Sequence, residues 1–317
     1  MTKALQVAAG VIKNSNGEVL IALRDKSLHQ GGLWEFPGGK LEAGETAVQA
    51  LIREIHEELN LTVLTATPLL RLKHAYPELS VELHIFLVEQ FSGTVTGMLG
   101  QAWRWVKSDE LVTYPFPAAN KPVVTAAQLP CFYAILDDAD ASQLISNLHT
   151  LLAQGIKLIQ LRLKNLSTSA VDAFIAIAMP LAKAHGTRLL INSAVDHASL
   201  LAVDGIHLYS SHLLALKQRP EPPIATSHYW VAASCHTAQE LSHAQAIGVD
   251  FVVLAPVLVT KTHPEAIPLG WQRFSELVAD VNLPVYALGG LSHAELATAQ
   301  QAGAQGIAAI RAFLDTP

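Results

Sequence analysis

Cysteine is nearly absent from this 317-residue chain: Cys131 and Cys235 stand far apart, with no CxxC pair and no Cys/His metal spacing, which excludes a disulfide scaffold. Charge is sparse as well. Only 15% of residues are charged against 50% hydrophobic, so there is ample material for buried cores and little for disordered tails. Basic charge is the scarcer kind, 21 Lys and Arg against 27 Asp and Glu. The resulting formal charge of −6 argues against direct, nonspecific DNA binding, which needs a surface that neutralises phosphates. A small anionic substrate held through a metal remains compatible. Long apolar runs are missing too: FVVLAPVLV stops at nine residues, well short of the roughly 20 a membrane helix requires. The opening MTKALQVAAGVIKNSNGEVLIALRD soon turns polar and carries no signal-peptide pattern. These absences predict a protein of the reducing cytoplasm with no membrane partner.

At this length two domains are the default. Residues 5–13 and 18–24 alternate like strands around an Asn16-Gly17 turn; a glycine-rich loop, a helix over about 46–59 and strands near 81–90 and 103–106 follow. That order, with many strands and few helices, predicts an α+β or sandwich fold. From Cys131 the rhythm changes. CFYAIL, KLIQLRL, RLLIN, GIHLY, WVAAS, FVVLAP, PVYALGG and GIAAI are eight apolar runs separated by helix-length segments. They predict a (β/α)8 TIM barrel, with a doubly wound sheet as the rival. The domains are placed at 1–127 and 130–317, joined by the short TAAQLP junction.

In the helix, Glu57 and Glu58 fall within about 60° of Glu54 at 100° per residue, so three carboxylates share one face, while Val48, Ile52, Ile55 and Leu59 form a core stripe. Such an acidic face repels itself unless cations occupy it, and hard oxygen ligands suit Mg²⁺ or Mn²⁺ bridging to substrate phosphates. Gly38 and Gly39 let backbone approach a ligand closely, and Glu45 at the helix entry can hold the loop.

Gly39, five residues, Glu45, seven residues and then Arg53-Glu54-Ile55-His56-Glu57-Glu58 resemble the Nudix box of nucleoside diphosphate hydrolases. Asn60 stands where the family has glycine and tolerates the left-handed backbone expected there. The resemblance implies metal binding by Glu54, Glu57, Glu58 and the Gly38 carbonyl, with Glu54 and Glu57 catalytic, Arg53 orienting the glutamates, and Gly39 and Glu45 supporting the loop. It implies cleavage of a nucleoside triphosphate to a monophosphate and pyrophosphate. LWEFPGGK and YPFPAANKP look like the MutT branch, the 8-oxo-dGTP diphosphatases that keep oxidised nucleotide out of DNA, over nearly all of residues 1–127. In that branch Asn120 matches the asparagine that reads the oxidised guanine, with Phe36 and Arg24 bordering the base; His29 and Tyr76 are lesser pocket candidates. Leu99 departs from a further glutamate ligand, for which Glu82, Glu89 or another carboxylate could compensate.

QLRLKNL, INSAVDHA, GIHLYSS, ASCHT, APVLVTKTHP and ALGGL come in that order at predicted strand ends, where barrel enzymes place their sites. The series resembles thiamine-phosphate synthase and its relative, the thiazole tautomerase TenI, over residues 130–317. Gln160, Arg162 and Lys164 are alternate residues of the second strand, Lys261 lies on a loop suited to phosphate, and Gly289-Gly290 fit a backbone phosphate site. The implied ligand is thiazole phosphate or a thiamine-related phosphate. Ser193 and His212 stand where the synthase has acidic Mg²⁺ ligands, which argues against synthase activity. His236 remains as a proton shuttle of the kind a tautomerase needs. Two other readings follow from the same residues: Nudix cleavage of damaged thiamine diphosphates for the barrel, or a barrel that is a noncatalytic phosphate-binding or dimer-forming module.

Overall fold

The computed structural model describes residues 4–27, 30–77, 79–98, 100–223, 229–260 and 265–314. Its contacts divide the chain into two compact units, 1–128 and 129–317.

The first unit holds β1 (Leu5–Ile12), β2 (Glu18–Leu23), β3 (Trp34–Glu35), β4 (Gly38–Lys40), α1 (Ala47–Leu59), β5 (Thr62–Ala75), β6 (Ser80–Ser92), β7 (Trp103–Lys107) and α2 (Lys121–Gln128). The strands form a mixed sheet in the order β4-β1-β6-β5, with β1 parallel to β6, and an antiparallel sheet in the order β3-β2-β7. The result is an α+β unit, a mixed sheet with flanking helices. The sequence pattern misses β5 and α2 and takes β4 as part of the glycine-rich loop. Along β5 the register shifts at Val63/Thr65, Thr65/Thr67 and Pro68/Leu70, so the alternation that marks a strand is broken three times.

α1 starts at a capping box: Thr46 Oγ1 accepts the Gln49 N–H at 3.3 Å and Gln49 Oε1 accepts the Thr46 N–H at 2.8 Å. It ends at Asn60, whose φ of 56° is left-handed and whose N–H donates to the His56 carbonyl at 2.9 Å. The buried stripe is Ala50, Leu51, Ile55 and Leu59, which corrects the expected one: Val48 and Ile52 are 37% and 40% exposed. The helix therefore packs its core face close beside its acidic face.

The second unit is a closed barrel of eight parallel strands, which excludes the doubly wound rival. In chain order they are β8 (Phe132–Asp137), β9 (Leu158–Arg162), β10 (Arg188–Asn192), β11 (Gly205–Leu208), β12 (Trp230–Cys235), β13 (Phe251–Leu254), β14 (Val285–Leu288) and β15 (Gly306–Ala309), with β15 pairing back to β8. Between them run α3 (Ala141–Ala153), α4 (Thr168–Ala184), α5 (Ser210–Ala215), α6 (Ala238–Ile247), α7 (Gly270–Val278) and α8 (Leu296–Gln301). The interior is packed, not hollow: Tyr133, Leu158, Leu190, Trp230, Phe251 and Tyr286 form one buried cluster. Further along these strands the inward residues turn polar, at Gln160, Asn192, His207 and Ser234, and open into a cavity of about 1830 Å³. Among the described residues no helix is long and apolar enough to cross a membrane.

Because Asn60 closes α1 in a left-handed conformation, Asn60→Gly should leave stability within a few tenths of a kcal/mol, whereas Asn60→Val should cost about 1–2 kcal/mol. Urea unfolding of the full chain measures both, and equal effects would contradict the strained cap.

Candidate functional site

Arg53, in the middle of α1, is the hub of the first site. Its Nε and Nη2 donate to the two carboxylate oxygens of Glu45 at 2.8 and 2.9 Å, and Nη1 donates to Glu54 at 2.9 Å and Glu57 at 3.3 Å. Nη2 also reaches the Lys40 carbonyl at 3.1 Å, and Glu45 accepts the Glu42 N–H at 2.9 Å. One guanidinium thus ties the loop, β4 and the acidic face together through a bidentate pair. Hydrogen bonds from Arg53 and the Glu42 amide hold the Glu45 carboxyl down at about 2, and the same carboxylates raise Arg53 further.

The other glutamates crowd the glycine strand. A Cβ on Gly39 would lie 2.2 Å from the Glu54 carboxylate, so a side chain at residue 39 would displace that carboxylate. Burial pushes the Glu58 carboxyl up to about 7; repulsion from Glu35 and Glu54 adds to the rise, while the Gly38 backbone and Arg24 oppose it. Glu57 is exposed. An oxygen-only donor set that repels itself, with one carboxylate in a crevice that a Cβ would fill, fits a hard divalent cation. In this structure the three carboxylates do not converge on one point. Glu54 and Glu57 turn to Arg53 and Glu58 to the Gly38 backbone, and among the described residues no three His, Cys, Asp or Glu side chains are grouped to hold a metal.

Beside this face lies an aromatic and charged cluster. Arg24, after β2, pairs with Glu35 of β3. Next to Glu35, Phe36 is buried and stacks on Phe116, ring centroids 5.2 Å apart and planes at 18°. Four residues beyond Phe116, Asn120 ends a short 3-10 turn and is half-buried. The structure thus joins Arg24 to Glu35 and Phe36 to Phe116, with the Asn120 turn following Phe116 along the chain; Glu35 and Phe116 carry no role in the sequence reading. Alternation carried the signal for Glu35: it stands between Trp34 and Phe36, both buried, and must face the other way. Tyr76 lies near Arg24, and burial raises its hydroxyl. Glu82 does not stand with the α1 glutamates, because it is engaged by Gln6 at 2.7 Å and by Arg71. Glu89 is exposed on β6. Leu99, His29 and Lys261 lie outside the described residues.

In the barrel, Gln160, Arg162, Lys164, His236, Gly289 and Gly290 all line the one cavity. Leu161 and Leu163, the residues between, point to the helices, as period two requires. Arg162 Nη1 donates to both carboxylate oxygens of Asp137 at 2.8 Å. Lys164 and Arg311 have no carboxylate partner among the described residues, and no carboxylate lines the cavity among them. Gly289 and Gly290 take φ of 111° and 69°, and a Cβ on Gly290 would meet the Val259 carbonyl at 2.4 Å, so both positions demand glycine. His236 is exposed; its N–H donates to Glu240 at 2.6 Å, and its Nδ1 lies 2.8 Å from the Ala255 carbonyl. Ser193 Oγ accepts the Tyr209 N–H at 3.3 Å, and the His212 ring lies 5.5 Å from that of Tyr209. Neither lines the cavity.

Comparison with known proteins agrees with this geometry. The NUDIX domain family model matches residues 8–126, and the thiamine monophosphate synthase family model matches residues 132–313. The chain belongs to both families, a Nudix hydrolase followed by a thiamine monophosphate synthase/TenI barrel. Among individual proteins, it is 38% identical over 122 residues to the 8-oxo-dGTP diphosphatase of Escherichia coli, covering 38% of this chain and 95% of that protein. It is 34% identical over 124 residues to the CTP pyrophosphohydrolase of the same organism, 39% of this chain and 91% of that one. It is 31% identical over 207 residues to the thiamine-phosphate synthase of Roseiflexus castenholzii, 64% of this chain and 85% of that one.

Since Glu45 is held below its ordinary value near 4.5, its clamp on Arg53 is present at and above that range and is lost as pH falls through about 2. A carboxyl titration of Glu45 by NMR should therefore show a midpoint near 2 in the wild type and a return toward 4.5 in Arg53→Gln. A wild-type midpoint at the ordinary value would contradict the clamp.

Proposed function

We propose that the first unit hydrolyses 8-oxo-dGTP to 8-oxo-dGMP and pyrophosphate with Mg²⁺, or Mn²⁺ in its place, and so keeps oxidised nucleotide from DNA replication. The observation that carries this reading is the adjacency of two features: the acidic face of α1 against Gly38 and Gly39, and the Arg24–Glu35–Phe36–Phe116 cluster leading to Asn120. A cation held by Glu54, Glu57, Glu58 and the Gly38 carbonyl would neutralise charge on the phosphate oxygens and acidify the attacking water. The chain's own part is to position. Arg53 fixes the direction of Glu54 and Glu57, and Glu45 fixes Arg53, so the carboxylates start from ordered places and need to swing only from Arg53 and the Gly38 backbone to a shared cation. The base would stack on the Phe36–Phe116 pair, and the Asn120 amide offers a donor and an acceptor to a purine edge.

The barrel we read as a thiazole tautomerase or a related phosphate-ester site without synthase activity. A carbonyl only accepts, so the Ala255 oxygen fixes the His236 proton on Nδ1 and leaves Nε2 as the base of the neutral ring. Lys164, Arg311 and the glycine turn supply positive charge and N–H groups suited to phosphate, with no carboxylate for Mg²⁺ among the described lining residues.

A Mg²⁺-dependent screen of the intact protein with 8-oxo-dGTP, dGTP, CTP and oxidised thiamine diphosphate tests both parts. Expected are turnover of 8-oxo-dGTP at least 100-fold above dGTP, its loss by a factor of about 10³ in Glu57→Gln, and no effect of His236→Ala on it. Equal rates on dGTP would sink the oxidised-base reading, and preference for the thiamine diphosphate would replace it. Thiazole tautomerisation lost in His236→Ala alone supports the barrel reading; no tautomerisation by the wild type contradicts it.

A further inference from the structure

At the wall of the barrel cavity, five side chains from five consecutive strands in the closed sheet are joined in one hydrogen-bonded chain. Asn192 Nδ2 donates to Gln160 Oε1 at 3.0 Å, and Gln160 Nε2 donates to the Tyr133 hydroxyl at 3.4 Å. The Tyr133 hydroxyl lies 3.0 Å from His207 Nδ1, and His207 Nε2 lies 2.8 Å from Ser234 Oγ. Tyr133, Gln160, Asn192 and His207 are buried and Ser234 is half-buried; all but Tyr133 line the cavity.

One backbone group decides which way every proton in this chain points. The Ala194 N–H, which can only donate, reaches Asn192 Oδ1 at 2.9 Å. The Asn192 amide therefore cannot flip, and its nitrogen must face Gln160. Gln160 then has its oxygen toward Asn192 and its nitrogen toward Tyr133. The Tyr133 oxygen already accepts, so its own proton goes to His207 Nδ1. If Nδ1 carried a hydrogen instead, the buried Tyr133 proton would have no acceptor among the described residues, at a cost that buried polar groups rarely bear. Burial keeps the His207 ring neutral, its pKa pushed down to about 3, so with Nδ1 accepting, Nε2 bears the single ring hydrogen and donates it to Ser234.

We propose that this ordered chain makes the Ser234 hydroxyl a fixed hydrogen-bond donor to the ligand of the barrel, so the cavity selects at that point an acceptor, such as an aromatic ring nitrogen or a carboxylate oxygen, over an N–H or O–H group. Ser234 Oγ is occupied by His207, and its hydrogen has no other partner among the described residues. The contact with a ligand rests on the reading of the barrel as a phosphate-ester site, whereas the proton order does not. Tyr133 and His207 are positioning residues, acting through Ser234.

The ¹⁵N shifts of His207 in the intact protein at neutral pH read the order directly. The expected spectrum has a bare Nδ1 and a protonated Nε2; a protonated Nδ1, alone or with Nε2, overturns the proposal. Asn192→Asp, of the same shape but accepting on both oxygens, should turn the Gln160 amide round and reverse each later bond, moving the His207 proton to Nδ1. An unmoved proton also overturns it, and should this variant fail to fold, the wild-type spectrum still decides. For the ligand contact, thiazole phosphate, whose ring nitrogen is an acceptor, should bind about tenfold more weakly to Ser234→Ala, the size of one neutral hydrogen bond. Unchanged affinity refutes the contact. Failure of the wild type to bind thiazole phosphate refutes the phosphate-ester reading, and with it the contact, while the His207 shifts still rule on the proton order.

Discussion

The Arg53 guanidinium is shared by three glutamates and a carbonyl, and the arrangement of the Nudix unit depends on it. The three carboxylates of one helical face repel one another, and the 41–46 segment that leads from β4 into α1 needs an anchor. Arg53 answers both problems: Glu45 anchors it from the loop, its Nη2 reaches the Lys40 carbonyl of β4, and its Nη1 holds Glu54 and Glu57. The clamp is bidentate and planar, so a lysine at that position would supply the charge without the geometry. Beyond its reach, Glu58 keeps an elevated proton affinity, which is the signature of a carboxylate left among like charges in a dry crevice.

The barrel solves a different problem, polarity inside a closed sheet. One end of its interior is filled with Tyr133, Trp230, Phe251 and Tyr286, while the other must present polar groups to a ligand. Isolated buried amides and imidazoles would each cost about 1–3 kcal/mol. Joined end to end they satisfy one another, and the chain ends on a hydroxyl at the cavity wall. The same closure leaves the mouth lined by Lys164 and Arg311, so the cavity is polarised for an anion.

What the sequence could tell depended on whether periodicity or long-range contact carried the information. The eight barrel strands were legible because parallel strands buried on both faces are apolar throughout. α1 was legible through its spacing of glutamates and its buried stripe only in part: Ile55 and Leu59 are buried, whereas Val48 and Ile52 share their helical angle and yet remain exposed. β5 was hidden by three register shifts and Pro68. Glu35 and Phe116 escaped because their partners, Arg24 and Phe36, lie 11 and 80 residues away and only the fold brings them together. Tyr133 and His207, 74 residues apart, are of the same kind. Local motifs named the chemistry, and the tertiary contacts name the residues that steer it.

In the proposed Nudix site, the Gly38–Lys40 strand and the acidic face of α1 together hold a divalent cation. Paramagnetic broadening of backbone amides during a Mn²⁺ titration tests it most directly. The account predicts saturable broadening confined to residues near 38–40, 54, 57 and 58 and displaced by Mg²⁺. Broadening centred elsewhere in the chain, or no saturable broadening, would contradict it.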